Sequence, residues 1–361
     1  MKPETTEDIL ELLDGYFVSA ALGTALELGV FWLLADKPLP ASGLAESLGI
    51  PLNRCHTWLK LLCRLGLLEE GVEGYVPSLL ARETILNAQS QHFWAFHTRE
   101  DRRASRLVRD LALNIRQPVP AWQAANLAPP DEYRQLREDA RYAADFTRML
   151  YEIHLPLAEE LANLLDLEGV KRLLDLGGGS GVVSFALLRK QPELASVVVD
   201  VETVCQAGRE IAAENGVERI TYLAADFLQD DLPSGFDMVL LCDVGSFSDP
   251  LFRKIHYALK LNGRLVVVDK FARTSTDPAP SRLSGAFLSS LNDPEPSIRF
   301  TTLEMVQARL QEAGFRDVSS TPVPHRDHLR WTLDWTMLEA RKSTPGAYGE
   351  MASMEEGGYE V

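Results

Sequence analysis

The residues whose types and spacing could do chemistry begin in LLDLGGGSGVVSFALL, residues 173–188. An apolar run ends at Asp175-Leu176, glycines follow at 177, 179 and 181, and a new apolar run starts at Val182. Glycines at these positions allow left-handed backbone and close approach to a ligand. A dinucleotide fingerprint G-x-G-x-x-G would place its third glycine at 182, where Val182 stands. The acid two residues before the first glycine is not needed by a phosphate cradle. It suits a ligand with an ammonium group, to which Asp175 lies near directly or through water. A second acid, Asp200, ends ASVVVDV roughly 20 residues past the glycine turn, where a carboxylate accepts from ribose hydroxyls, with Val201 beside it. A third, in Ala225-Asp226-Phe227, can accept from an adenine amino group while the aromatic covers the ring. Each acid alone also reads as a turn or helix-cap residue. Together they outline one adenosine-sized slot with an acid at a cationic end.

These residues need strand ends to hold them. From residue 171 onward RLLDLG, ASVVVDV, ITYLAAD, FDMVLLCDV and GRLVVVDKF alternate with helical stretches GVVSFALLRKQPE, VCQAGREIAAENGV and LFRKIHYALKLNG. That alternation predicts an α/β fold with a doubly wound, Rossmann-like parallel sheet. TTLEMVQARLQEAGF predicts a further helix, with antiparallel strands in DVSSTPV and WTLDWTMLEARK. Residues 1–87 are mainly helical. ILELLDGYFVSAALGTALELGVFWLLA is apolar on more than one face, as expected of a helix buried in a core or against a second subunit. A helix, a turn, a second helix and a short β wing follow, a winged-helix pattern. The expected organisation is a winged-helix domain over 1–87, a helical linker and substrate-pocket region over 88–166, a sheet domain over 167–342 and a disordered acidic tail without periodicity over 343–361.

A winged helix invites a DNA-binding reading, and Arg54, His56, Lys60 and Arg64 stand on its second helix. The formal net charge of −16 opposes it, because phosphate binding needs a positive surface. A small-molecule ligand is expected, with no nucleic acid and no membrane partner. The four cysteines, Cys55, Cys63, Cys205 and Cys242, form no CxxC pair and suit a reducing cytoplasm. No metal is expected; His325 and His328, flanking Asp327, read as a polar loop rather than a ligand set.

By these motifs the chain resembles the plant-type O-methyltransferases that use S-adenosyl-L-methionine. DLGGGSG is similar to the family's cofactor motif, VDVETV to its ribose-acid motif and AADF to its adenine motif. The N-terminal part resembles the family's winged-helix dimerisation domain, and ADFTRML its helix entering the cofactor pocket. The resemblance implies a class I methyltransferase sheet whose seventh strand is antiparallel, a homodimer, and a substrate held between the two domains. It places His154, a turn past that helix element, close to the methyl-transfer centre.

Usual O-methylating members carry L-H-D-W-x-D after the fourth strand, and the histidine removes the hydroxyl proton. Here the stretch is V-G-S-F-S-D, and Gly245 or Ser246 stands in the histidine's place. By the same resemblance Phe247 replaces the tryptophan that covers adenine, Cys242 replaces a lysine at the cofactor rim, and Asp269 is the surviving acid that orients the base. The catalytic candidates are therefore His154 and Asp269. The expected reaction is methyl transfer to a small aromatic or cyclic acceptor at a hydroxyl oxygen, without the usual histidine. Alternatives are C-methylation of a chlorin ring or α-keto acid, a decarboxylase or hydroxylase that reuses the cofactor's positive charge, and a winged-helix ligand sensor without turnover.

Overall fold

The structure, a computed structural model, describes residues 3–127, 131–276, 283–292, 300–324 and 335–342. His325, His328 and the acidic tail lie outside the described residues. The chain divides into two compact units, residues 1–117 with 124–127, and residues 118–123 with 128–361.

The first unit starts with helix α1 (Thr6–Glu27), whose Thr5 cap accepts from the Asp8 amide while the Asp8 carboxylate returns a bond to the cap, a complete capping box. Helices α2 (Val30–Asp36), α3 (Ala41–Leu48) and α4 (Leu52–Arg64) follow, then the antiparallel wing β1 (Leu68–Gly71) and β2 (Gly74–Pro77). Phe31, Leu34, Leu44, Leu59 and Leu62 fill the core between them. Helix α5 (Gln91–Val108) runs along α1, and Arg102 forms an ion pair with Glu27. Only Ala25 and Leu26 of α1 are buried within this unit, while Ile9, Leu10, Leu12, Leu13, Tyr16 and Phe17 are exposed. By length and composition alone, α1 is long and apolar enough to cross a membrane. The same stripe equally fits a partner helix.

The second unit is the α/β sheet expected from the alternating pattern. Its elements are α6 (Glu132–Glu138), α7 (Ala140–Leu164), β3 (Arg172–Leu176), α8 (Val182–Lys190), β4 (Ala195–Asp200), α9 (Glu202–Glu214), β5 (Ile220–Ala224), β6 (Phe236–Cys242), α10 (Asp249–Ala258) and β7 (Leu259–Lys270). Helices α11 (Leu283–Asn292) and α12 (Leu303–Glu312) and strands β8 (Phe315–Pro322) and β9 (Trp335–Lys342) complete it. The strand order is β5-β4-β3-β6-β7-β9-β8. Strands β3 to β7 run parallel, and β9 is antiparallel to both β7 and β8. One face packs α7 and α8 through Leu161, Leu187 and Val183 onto Leu173, Met238 and Val266. The other packs α10 and α12 through Phe252, Ile255 and Leu310 onto Leu174, Val239 and Val267. Covering both faces explains why these strands read as continuous apolar runs.

One boundary differs from the sequence expectation. LFRKIHYALKLNG is not helical throughout: α10 ends at Ala258, and Leu259 already pairs with Phe236. Asn262, at φ 61°, makes the left-handed step that a helix cannot continue through.

Strands β4 and β5 succeed β3 on one side and β6 and β7 lie on the other, so the order reverses between β3 and β6. That switch point opens a crevice at the carboxyl ends of the strands, the usual place for a ligand in an open α/β sheet.

Candidate active site

At the end of β3, Gly177, Gly179 and Gly181 adopt φ of 65°, 56° and 80°, so each needs the freedom the sequence supplies. Gly178 matters for another reason. A Cβ there would sit 2.5 Å from Cγ of Asp175, so the turn folds directly onto that side chain. Tyr222 donates its hydroxyl to the Ser180 carbonyl at 2.6 Å and pins the turn from the β5 side. Gly208 lets α9 approach, since a Cβ there would lie 2.4 Å from the Tyr222 ring.

Asp175 is 1% exposed. Ser184, one turn into α8, donates to its Oδ2 at 2.6 Å, and Oδ1 has no partner among the described residues. Burial pushes the carboxyl up to about 6. A buried acid with an orphaned oxygen under the turn fits a cationic or hydrogen-bond-donating ligand group nearby.

Asp200, at the end of β4, accepts from the Gly179 amide at 3.0 Å and from the Val201 amide at 2.8 Å. It therefore ties the glycine turn to the next strand and keeps lone pairs for further donors. Burial raises its carboxyl to about 6 as well, with the two amides opposing the shift. Asp226, after β5, accepts from the Leu228 amide at 3.1 Å through Oδ1, while its own amide donates to Asp230 at 2.8 Å. Phe227 is buried against the glycine turn, 3.3 Å from where a Gly177 Cβ would lie.

The end of β6 brings a second group together. Asp243, at φ 55°, donates its amide to the Val268 carbonyl at 2.9 Å. Its Oδ2 lies 3.2 Å from Nε2 of His154, which reaches over from α7 and is nearly buried, edge-on to Trp335. Pro156, two residues on, removes one helical rung beside that histidine. Asp269 is 2% exposed and accepts from the Gly245 amide at 3.2 Å and from the Lys270 amide at 2.6 Å. It shapes the 243–245 turn. The acid on His154 is Asp243, which the sequence reading did not single out. Cys242 is a protonated thiol, its pKa raised first by burial and then by Asp243, Asp175 and Asp269. Phe247 is buried beside Phe271, with ring centroids 5.7 Å apart, and its carbonyl accepts from Arg309 at 2.9 Å.

The glycine turn, Asp200 and Asp226 thus line three neighbouring strand ends, and the His154–Asp243 pair stands at the fourth. Residues 109–315 match the family described as O-methyltransferase domain, and residues 10–83 match the O-methyltransferase dimerisation domain. The chain belongs to the O-methyltransferase family. It is a methyltransferase dependent on S-adenosyl-L-methionine. Two curated relatives resemble it over much of its length. A 3-hydroxy-5-methyl-1-naphthoate 3-O-methyltransferase from Streptomyces sahachiroi is 31% identical over 243 residues, 64% of this chain and 66% of the relative. The N,N-dimethyltransferase OxyT from Streptomyces rimosus is 29% identical over 315 residues, 85% of this chain and 90% of the relative. Among solved structures, the mitomycin 7-O-methyltransferase MmcR shares the fold at a TM-score of 0.76 and 24% identity, covering 93% of this chain and 97% of that one.

In this methyltransferase the sequence reading and the structure agree on which strand ends carry Asp175, Asp200 and Asp226. The structure adds Gly178, Ser184, Tyr222 and Asp243. Only Gly178 had a visible signal, as the middle glycine of GGGSG.

Proposed function

We propose that this methyltransferase methylates a phenolic hydroxyl on a fused aromatic acceptor, with His154 as the proton acceptor and Asp243 as the residue that orients it. When bound, S-adenosyl-L-methionine supplies an electrophilic methyl group for in-line displacement. Gly177, Gly179 and Gly181 shape its turn, and Asp200 and Asp226 accept from ribose and adenine. In-line displacement draws much of its rate from positioning. A neutral hydroxyl also needs its proton removed, which is worth about 10²–10⁴-fold. The observation that carries the reading is the 3.2 Å contact between His154 Nε2 and Asp243 Oδ2. A carboxylate on Nε2 holds the proton there and leaves the lone pair on Nδ1, where a base needs it. Asp269 keeps the turn that presents Asp243. The aromatic acceptor is supported by the naphthoate named for the relative at 31% identity.

The protein acts as a homodimer joined through the exposed apolar stripe of α1 in its dimerisation domain. All four cysteines are free, which fits the cytoplasm as its setting.

The test is incubation of the purified protein with methyl-labelled cofactor and a hydroxynaphthoate. The expected product carries the label on oxygen. Label on carbon or nitrogen, or none transferred to any hydroxylated aromatic, would contradict the proposal.

A further inference from the structure

Helix α6 lies over the acids that the adenosine reading uses. Arg137 Nη1 stands 3.6 Å from Asp226 Oδ2. Tyr133, one turn earlier on the same helix, also lies near Asp226, whose charge helps hold its phenol up. The Arg137 guanidinium lies 5.7 Å from the centre of the Tyr133 ring, so the two side chains act as one stacked unit. The phenol is held up at about 12, first by burial and next by Asp226, and Asp200 contributes in the same direction. The helix is anchored on its other side too. Thr203, in the first turn of α9, donates its hydroxyl to the Leu136 carbonyl, and Leu136 packs against Ala143, Val201 and Val204. Val201 directly follows the ribose acid. Thus α6 is fastened at both ends of the slot: to the adenine acid by Arg137, and beside the ribose acid by Thr203.

We infer that α6 is the outer wall of the cofactor's adenosine site and that Tyr133 and Arg137 gate passage of the cofactor through it. An adenine amino group approaching Asp226 must compete with Arg137 for the same carboxylate. Entry and departure therefore both require Arg137 to leave Asp226 and the Tyr133 ring stacked with it to move aside. The pairing is half-exposed, so each opening is small in energy and fast. Product release gated in this manner sets turnover in many enzymes. The inference rests on the placement of adenine at Asp226.

Stopped-flow binding of S-adenosylhomocysteine tests it with the full-length protein. Arg137→Ala removes the cation paired with Asp226, and Thr203→Val loosens the other anchor without touching an acid. Both should raise the association and dissociation rates together by roughly threefold or more, the scale of one half-exposed ion pair or hydrogen bond. The equilibrium affinity should change less than either rate. Unchanged rates in either variant would overturn the gate, as would a loss confined to melting temperature. A faster departure with unchanged entry would make Arg137 an ordinary contact and also overturn it. Asp226→Asn separates the two claims. Weaker S-adenosylhomocysteine binding upholds the adenine placement whatever the gate does, whereas unchanged affinity refutes that placement and the gate with it.

Discussion

Asp200→Asn is the sharpest probe of the cofactor half of the site. The carboxylate already accepts from two amides, Gly179 at 3.0 Å and Val201 at 2.8 Å, one on each oxygen. An asparagine keeps one acceptor oxygen and turns the other into a donor. One of the two amides then faces an NH2 group, and only one oxygen remains for ribose. Losing one hydrogen bond to a charged acceptor costs about 1.5–3 kcal/mol. At 1.4 kcal/mol per factor of ten, affinity for S-adenosylhomocysteine should fall roughly 10- to 150-fold. The pH dependence adds an independent check. Burial raises the Asp200 carboxyl to about 6, so the ionised form dominates above that value and the neutral form below it. Only the carboxylate can accept from the amides and the ribose at once. Wild-type affinity should therefore be full near pH 7.5 and weaken as pH falls through 6, approaching tenfold per unit. Asp175, also raised to about 6 with the Asp200 charge contributing, titrates alongside, and the variant moves that component to lower pH. Calorimetry of both proteins from pH 5 to 8 reads both effects. Wild-type affinity in Asp200→Asn, or an identical pH slope in the two proteins, would refute the ribose assignment.

Two further outcomes follow from the same geometry. Gly178→Ala places a methyl 2.5 Å from the Asp175 carboxyl carbon and must push the glycine turn outward; we expect a loss of about 1–3 kcal/mol in stability, read by thermal melting, with weaker S-adenosylhomocysteine binding. Replacing Leu13 and Phe17 by glutamate puts charge on the exposed stripe of α1; sedimentation should then show the dimer shift to monomer, and an unchanged dimer would remove α1 from the interface.

The catalytic unit was legible in the sequence where burial is two-sided. Strands covered on both faces cannot alternate, so RLLDLG, ASVVVDV and FDMVLLCDV announce themselves as apolar runs, and an acid that ends such a run has only the strand end to occupy. Asp175 and Asp200 are legible in that way, whereas Asp226 follows the edge strand β5, most of which is not buried. His154 and Asp243 are 89 residues apart, and no periodicity links them. The pattern of α7 shows which side of the helix is buried, but not which strand end its histidine meets. Asp269 is implied only by the family resemblance, and nothing in the pattern around Asp243 marks that acid as the one facing a histidine. Helix α6 was hidden for a different reason. It spans only Glu132–Glu138, carries four charged side chains in EYRQLRE, and owes its place to contacts with distant residues rather than to an apolar stripe of its own. The wrong extent of α10 has a similar origin: Leu259 continues the helical spacing of Leu251, Phe252 and Ile255, but its pairing with Phe236 overrides it.

The central claim is that a histidine on α7, oriented by Asp243, replaces the missing base after β6. Its most direct test is the single-turnover rate of methyl transfer to a phenol, for wild type and His154→Ala, across the phenol's own pKa. Below that pKa the variant should be slower by about 10²–10⁴-fold, because the hydroxyl keeps its proton. Above it the phenolate forms without help, and the two rates should converge. Equal rates at every pH, or a deficit that persists unchanged after the acceptor has ionised, would contradict the account.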